Sequence, residues 1–237
     1  MNNHQKPRYF AVVPAAGIGS RMGAECPKQY LPLGSSTIIE QTLSRLLMLD
    51  GLERVVVPLN AKDEDWQTLS VANSPRIQST LGGTERCDSV LAGLKALQGI
   101  AEDDDWVLVH DVARPCVRLK DIEALTAALA DDEVGGILAV PVSDTIKQVT
   151  AKSIDKTVDR SVLWQAQTPQ LFRYGILLKA LSEAAVQGVT ITDEASAIEW
   201  SGAVPKVVEG SRDNIKITCP EDLALAEYYL KTLDIKS

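Results

Sequence analysis

The chain reads VVPAAGIGSRMG over residues 12–23, and PKQ follows at residues 27–29. The apolar start predicts a buried strand, and the glycines predict a loop directly after it. Glycine lets a backbone approach a phosphate closely, and Arg21 and Lys28 place positive charge beside that loop. The stretch therefore indicates a nucleotide site with chemistry at phosphorus, because a plain glycine turn would not call for the two cations.

Two familiar glycine loops do not fit this spacing. The dinucleotide-binding pattern G-x-G-x-x-G would need its third glycine one position before Gly23. It also needs an acidic residue at the end of the second strand, and the predicted strand over residues 54–60 ends without one. The G-K-[ST] triplet of P-loop proteins does not occur in the sequence. A dehydrogenase and a P-loop enzyme are therefore both disfavoured.

The length, net charge and cysteine spacing of the chain exclude several further classes of protein. A length of 237 residues suits one α/β domain, and the net charge of -8 argues against a nucleic-acid partner. No apolar run approaches the roughly 20 residues that span a bilayer, so we expect no membrane segment. The 4 cysteines lack C-x-x-C spacing, which favours reduced thiols and a cytoplasmic protein.

Apolar runs and helical patterns alternate along the chain, which predicts an α/β fold: a Rossmann-like, mostly parallel sheet flanked by helices. The predicted strands are Tyr9–Pro14, Arg54–Leu59, Arg76–Thr80, Trp106–His110, Gly136–Val140 and Lys206–Glu209. Helices are predicted at residues 39–47, 90–97, 119–131 and 174–187, and after Thr218, which has capping-box spacing to Glu221.

One segment, at about residues 143–163, breaks this alternation. It contains two short β-like pieces, Thr145–Val149 and Lys156–Val158, separated by a polar turn. We predict a protruding β-hairpin arm on a single domain over residues 1–237. An isolated two-stranded ribbon is marginal in water, so the arm packs either on a second copy or back on its own domain.

Candidate nucleotide-binding residues follow the predicted strands, because ligands of open α/β sheets bind beyond the carboxyl ends of the strands. They are Pro14, Ala15, Ala16, Gly17, Gly19, Gly82, Gly83, Thr84, Ser89, Asp111 and Val112. The carboxylate of Asp111 suits Mg2+, which takes few protein oxygens together with substrate phosphates. Two plainer interpretations stay open: Asp111 as a turn cap, and Ser89 as an ordinary residue in the first turn of a helix.

These positions belong to a longer series of motifs. After AAGIGSRM and PKQY come GGTERCDSV at 82–90, VHDVARP at 109–115, DTIK at 144–147, TVDR at 157–160, QTPQ at 167–170, TITDEA at 190–195 and DNIK at 213–216. The series resembles the 2-C-methyl-D-erythritol 4-phosphate cytidylyltransferase family, a branch of the sugar-phosphate nucleotidyltransferases, from about Tyr9 to Leu230. The resemblance implies transfer of CMP from CTP to the phosphate of 2-C-methyl-D-erythritol 4-phosphate, with Mg2+ as cofactor, in isoprenoid biosynthesis.

The resemblance also implies roles for individual residues. It makes Arg21, Lys28, Arg160 and Lys216 catalytic, and Asp111 the metal ligand. The acceptor would be bound by Arg114, Thr145, Arg160, Thr168, Thr192 and Lys216. It further implies a homodimer in which the arm brings Thr145 and Arg160 to the neighbouring site.

Several alternatives stay open at the level of sequence. Many family members carry an acidic residue where this chain has Thr84, so only a backbone role is expected there. Each threonine is equally well a turn or cap residue. Ribitol 5-phosphate is an alternative acceptor, and a non-catalytic nucleotide-binding module is an alternative function.

We expect His110 to face away from the cleft, because its neighbour Asp111 takes the cleft position.

Overall fold

The computed structural model describes residues 8–17 and 26–234. Its strands are β1 Tyr9–Val12, β2 Pro32–Leu33, β3 Ser36–Thr37, β4 Leu52–Leu59, β5 Ile77–Leu81, β6 Trp106–Val109, β7 Gly135–Pro141, β8 Ile146–Thr150, β9 Ser153–Val158, β10 Trp164–Arg173 and β11 Lys206–Glu209. Its α-helices are α1 Ile38–Leu47, α2 Arg86–Lys95, α3 Leu119–Ala128, α4 Tyr174–Val186, α5 Glu194–Trp200 and α6 Glu221–Asp234. Short 3-10 helices occur at Lys28–Tyr30, Trp66–Thr68, Ser70–Asn73 and Arg160–Val162.

The central sheet has seven strands in the order β11-β7-β10-β6-β1-β4-β5. All neighbours run parallel except β10, which is antiparallel to both β6 and β7. The predicted α/β class with a mostly parallel sheet is therefore confirmed. The carboxyl ends of β1, β4, β5 and β6 meet at one edge, where the predicted nucleotide-binding residues begin.

Strand β10 was not predicted, and its composition explains why. The strand carries glutamines, a threonine and Pro169 instead of a continuous apolar run, and proline usually excludes a central strand. The pairing with β7 shifts register between Ala166 and Gln170, so a bulge accommodates the proline. Bulges beside active sites commonly redirect a side chain, and here the bulge contains Thr168.

Both faces of the sheet are buried, as the apolar strands predict. Along β1 and its extension, Ala11 and Val13 pack on the face covered by α1 and α3, whereas Phe10 and Val12 pack on the face covered by α2, α4 and α5. All four of these side chains are inaccessible to solvent. Packing on both faces holds the strands in place, and with them the carboxyl ends where the cleft lies.

The hairpin is present where it was predicted. Strands β8 and β9 form a separate two-stranded sheet, and Ala151 and Lys152 make its turn with positive φ angles. Nearly all residues of the two strands are exposed, including the apolar side chains of Val149 and Ile154. The arm therefore protrudes from the sheet instead of folding back on it.

Two local predictions need correction. The seven-residue helix α5 was missed, because its buried residues are a glutamate, two alanines and one isoleucine, which give a weak apolar period. The expected capping partner of Thr218, Glu221, is wrong: the backbone N–H groups of Thr218 and Cys219 donate to Asp222 Oδ2 at 2.7 and 3.0 Å. Asp222 therefore stabilises the start of α6.

Within residues 8–17 and 26–234, no helix combines the length and the apolar character needed to cross a membrane.

Candidate nucleotide and phosphate site

One cavity of about 500 Å³ opens at the carboxyl edge of the sheet. It is lined by Pro14, Ala15, Ala16, Gly17, Lys28, Gly83, Thr84, Glu85, Arg86, Ser89, Asp111, Val112, Ala113 and Lys216. Nine of the eleven predicted nucleotide-binding residues are among them. Of the other two, Gly82 lies directly behind the lining and Gly19 lies outside the described residues, as does Arg21.

The loop after β1 forms one wall and is held from both sides. Gln29 Nε2 donates to the carbonyl of Ala15 at 2.8 Å, and Asn60 Nδ2 donates to the carbonyl of Ala16 at 3.1 Å. The N–H of Ala15 also continues the sheet by donating to the carbonyl of Pro58 at 2.8 Å. These bonds fix the backbone at the place where the sequence predicts contact with phosphates.

The glycine pair after β5 adjoins this loop, at a place where side chains would not fit. A Cβ on Gly82 would lie 2.6 Å from the Cβ of Ala16, and one on Gly83 would lie 2.2 Å from the Cβ of Asp88. The buried hydroxyl of Ser89 accepts from the N–H of Gly83 at 3.1 Å and lies 3.2 Å from the carbonyl of Glu85. Ser89 therefore shapes this loop.

Asp111 follows β6 and is positioned from behind by two buried residues. Its N–H donates to Thr168 Oγ1 at 3.0 Å, and Thr168 Oγ1 lies 3.0 Å from His110 Nδ1. The other ring nitrogen of His110, Nε2, lies 3.0 Å from the carbonyl of Arg114 and must donate to it. Burial lowers the pKa of His110 to about 4, so the imidazole is neutral at pH 7. The ring is inaccessible to solvent and does not line the cavity, as the sequence predicted.

The carboxylate of Asp111 lies among three cations. Arg86 Nε is 2.9 Å from Oδ1, while Lys216 Nζ and Arg114 Nε are 2.9 and 3.5 Å from Oδ2. Burial raises the pKa of Asp111, but Arg86 and Lys216 lower it more strongly, so it ends well below its usual range. A carboxylate that is charged at neutral pH therefore faces the cavity.

Lys216 reaches this point because its loop is fastened to the segment after β6. The N–H of Ile217 donates to the carbonyl of Ala113 at 2.8 Å, and Arg114 Nη1 donates to the carbonyl of Asn214 at 2.7 Å. Lys28 approaches from the other side, with its Nζ donating to the carbonyl of Ile217 at 3.1 Å. Two ammonium groups thus line the cavity beside a carboxylate.

The predicted acceptor residues do not all line this cavity within one chain. Arg114 and Thr168 lie beneath it and hold the backbone around Asp111 and Asn214. Thr192 is exposed at the end of a neighbouring cavity between α2 and α4. Thr145 and Arg160 are exposed at the base of the hairpin, where Arg160 donates to the carbonyl of Ser143.

Sequence reasoning did not assign Arg86 or Glu194 to the site. Arg86 Nη1 and Nη2 contact the two carboxylate oxygens of Glu194 at 2.7 and 3.1 Å, and its Nε contacts Asp111. Arg86 belongs to the motif GGTERCDSV and Glu194 to the motif TITDEA. The two residues are 108 positions apart in the sequence, and only folding brings them together. The available signal was an arginine between the glycine pair and the helix predicted at residues 90–97.

Comparisons with known proteins show the family of this chain. The family model described as 2-C-methyl-D-erythritol 4-phosphate cytidylyltransferase matches residues 9–232. The protein of that name from Vibrio vulnificus strain YJ016 is 54% identical over 221 residues, 93% of each chain. A crystal structure of the Francisella tularensis protein of that name has a TM-score of 0.83 at 38% identity, covering 94% of this chain and 99% of its own. A crystal structure of a 4-diphosphocytidyl-2C-methyl-D-erythritol synthase has a TM-score of 0.83 at 37% identity, covering 95% and 99%.

Proposed function

The chain belongs to the 2-C-methyl-D-erythritol 4-phosphate cytidylyltransferase family, and from this premise we propose how its cavity performs the family's reaction. The enzyme transfers the cytidylyl group of CTP to the phosphate of 2-C-methyl-D-erythritol 4-phosphate, in isoprenoid biosynthesis. The products are 4-diphosphocytidyl-2-C-methyl-D-erythritol and pyrophosphate. The observation that carries the proposal is that nine nucleotide-site residues, chosen from the sequence, surround one cavity together with Lys28 and Lys216.

The chemistry needs little more than positioning and charge. An oxygen of the acceptor phosphate attacks the α-phosphorus of CTP, a new P–O bond forms, and the bond to the β-phosphate breaks to release pyrophosphate. A phosphate monoester already carries close to two negative charges at pH 7, so no strong general base is required. Lys28, Lys216 and Arg21 supply the positive charge that stabilises the transition state.

The nucleotide is held mainly by backbone. The loop at residues 14–17 approaches the phosphates, and the loop at residues 83–85 reads the edge of the cytosine. The side chain of Thr84 is exposed and is not required for this contact. Ser89 acts indirectly by fixing Gly83.

We further propose Mg2+ as the cofactor, held by Asp111 together with phosphate oxygens of CTP. The donor set fits, because one carboxylate with substrate phosphates is a common arrangement for Mg2+. Among the residues that the structure describes, no three His, Cys, Asp or Glu side chains come together, so the remaining ligands would be phosphates and water. Lys216 is 38% exposed and can leave Oδ2 of Asp111 for a phosphate when the metal binds. When bound, Mg2+ neutralises phosphate charge during transfer.

The hairpin supports a homodimer, which we propose as the working form. Beyond β9, Val162 and Trp164 add to the exposed apolar surface at 74% and 43% exposure, close to the exposed Arg160. A second copy of the chain would cover this surface. In that arrangement Arg160 and Thr145 serve the acceptor phosphate of the neighbouring subunit, while Thr192 and Arg114 belong to the same chain as the nucleotide.

We propose a cytoplasmic location, because the cysteines are unpaired and because the donor substrate is CTP. Cys26, Cys87, Cys116 and Cys219 are all unpaired in the structure, which suits a reducing compartment. CTP is also a cytoplasmic metabolite, so the donor points to the same compartment.

The proposal is tested by pyrophosphate release from CTP and 2-C-methyl-D-erythritol 4-phosphate with Mg2+, using ribitol 5-phosphate as the comparison acceptor. We expect rapid release only with the methylerythritol phosphate. A preference for ribitol 5-phosphate would assign another acceptor. CTP binding without transfer to either acceptor would favour a non-catalytic nucleotide-binding module.

A further inference from the structure

Glu194 is a buried carboxylate that the proposed reaction does not use. It is 1% exposed and begins α5, two residues after Thr192. Its two oxygens face the two terminal nitrogens of Arg86 at 2.7 and 3.1 Å, a bidentate pair. Burying such a pair adds little net stability, because desolvation offsets much of the attraction. Its position beside the cavity therefore points to a role in arranging other groups.

Arg86 connects Glu194 to the carboxylate in the cavity. Its Nε donates to Asp111 Oδ1 at 2.9 Å, so one guanidinium spans two carboxylates. Because both terminal nitrogens are engaged by Glu194, Arg86 meets Asp111 through a single contact. The second oxygen of Asp111, Oδ2, is left to face Lys216 Nζ at 2.9 Å.

This division of contacts would change without the charge of Glu194. A guanidinium prefers a fork of two parallel bonds to one carboxylate, and Asp111 is the carboxylate already in contact. We infer that Glu194 is a positioning residue, which holds Arg86 in a single-contact arrangement and keeps Asp111 Oδ2 clear of Arg86, so that it stays available to Lys216 or to the proposed metal. The inference rests on the proposed function, because it takes the cavity around Asp111 as the place of phosphate chemistry.

The backbone at Glu194 is anchored independently of Arg86. Gln170 Nε2 donates to Asp193 Oδ2 at 2.9 Å, and the N–H of Ala195 donates to Gln170 Oε1 at 2.8 Å. The start of α5 is therefore held on both sides of residue 194. A substitution that removes only the charge of Glu194 should leave the helix in place.

Glu194→Gln keeps the shape of the side chain and removes its charge. We expect kcat to fall about tenfold to a hundredfold, the size of effect that small displacements of reacting groups produce, while the KM for CTP changes less than about threefold. Asp105→Asn is the matched control. It removes a similarly buried carboxylate from an arginine, Arg8, at the opposite edge of the sheet, so it should lower the melting temperature without changing kcat per active site.

A second background tests whether the effect passes through Arg86. Lysine at position 86 cannot form a fork, so adding Glu194→Gln to Arg86→Lys should reduce kcat/KM by less than about threefold. If Glu194→Gln lowers kcat/KM by the same factor in the wild type and in Arg86→Lys, Glu194 acts independently of Arg86 and the inference is overturned. Unchanged kcat in Glu194→Gln would overturn it as well.

A crystal structure of Glu194→Gln supplies a result that does not depend on turnover. The inference predicts a two-bond contact between Arg86 and Asp111 and separation of Lys216 from Oδ2; an unchanged single contact through Nε contradicts it. If Glu194→Gln is too unstable to purify, Glu194→Asp retains the charge with one methylene less and should show an intermediate loss of kcat. If the proposed function is wrong, the wild-type protein itself will show no transfer. The crystal structure of Glu194→Gln would still decide whether Glu194 positions Arg86.

Discussion

The substitution Asp111→Asn removes the negative charge that three cations share in the centre of the cavity. The side chain of Asp111 is 9% exposed, and Arg86, Lys216 and Arg114 lie 2.9, 2.9 and 3.5 Å from its oxygens. Asparagine occupies nearly the same volume, so packing is preserved. It offers one acceptor oxygen and turns an amide NH2 towards a cation.

The expected loss of stability follows from these distances. At an effective dielectric constant of about 20, each contact near 3 Å contributes about 5 kcal/mol of attraction before desolvation is subtracted. Removing one partner from a buried charge cluster costs about 3–5 kcal/mol net. We therefore expect the free energy of unfolding of Asp111→Asn to be about 3–5 kcal/mol below that of the wild type at pH 7.

The pH dependence has a definite sign. The folded-state pKa of Asp111 lies below its unfolded value of about 3.8, so the stabilisation is fully present above about pH 4. It is lost as the pH falls through the folded-state pKa, because the carboxylate is then protonated in both states. The difference between variant and wild type should therefore be largest at neutral pH and shrink in strong acid.

Urea unfolding followed by circular dichroism measures this difference, with Asp144→Asn as a control for loss of an exposed carboxylate outside the cavity. The control should stay within about 0.5 kcal/mol of the wild type. A difference below 1 kcal/mol for Asp111→Asn at pH 7 would refute the reasoning, because the three cations would then not depend on this charge.

Three further predictions concern separate parts of the chain. Lys28→Ala should lower kcat by about a hundredfold to a thousandfold in steady-state assays at saturating CTP, because the charge that it meets grows in the transition state; near-normal turnover would remove it from the mechanism. Asp222→Ala should lower the free energy of unfolding by about 1 kcal/mol through loss of the cap of α6, whereas Glu221→Ala should leave it nearly unchanged in the same urea titration. Mixing Arg160→Ala with Lys28→Ala should restore up to about a quarter of wild-type activity once subunits exchange, because half of the dimers then contain one intact site; no recovery with exchange confirmed would contradict a shared site.

The parts of the fold that the sequence predicted depend on local patterns. β1 was recognised because its side chains are apolar on both faces, and the loop after it because glycines follow directly. The hairpin was recognised because β-like residues flank a polar turn. In each case neighbouring residues carry enough information to determine the local structure.

The parts that were missed depend on contacts between distant residues. β10 gains its stability from β6 and β7 on either side, although its own sequence contains a proline and several glutamines. Arg86 and Glu194 form their pair across 108 positions of sequence, which no local spacing reveals. The contact between the Thr168 hydroxyl and the N–H of Asp111 also joins distant residues, and the assignment of Thr168 to acceptor binding stays a prediction.

The most direct test of the central claim uses 2-C-methyl-D-erythritol 4-phosphate whose phosphate oxygens carry ¹⁸O, with unlabelled CTP, Mg2+ and the purified protein. Attack by the acceptor phosphate on the α-phosphorus predicts that all of the label remains in 4-diphosphocytidyl-2-C-methyl-D-erythritol and that one unlabelled pyrophosphate is released per product, as read by mass spectrometry. Label in pyrophosphate, or formation of CMP without the diphosphocytidyl product, would contradict the account.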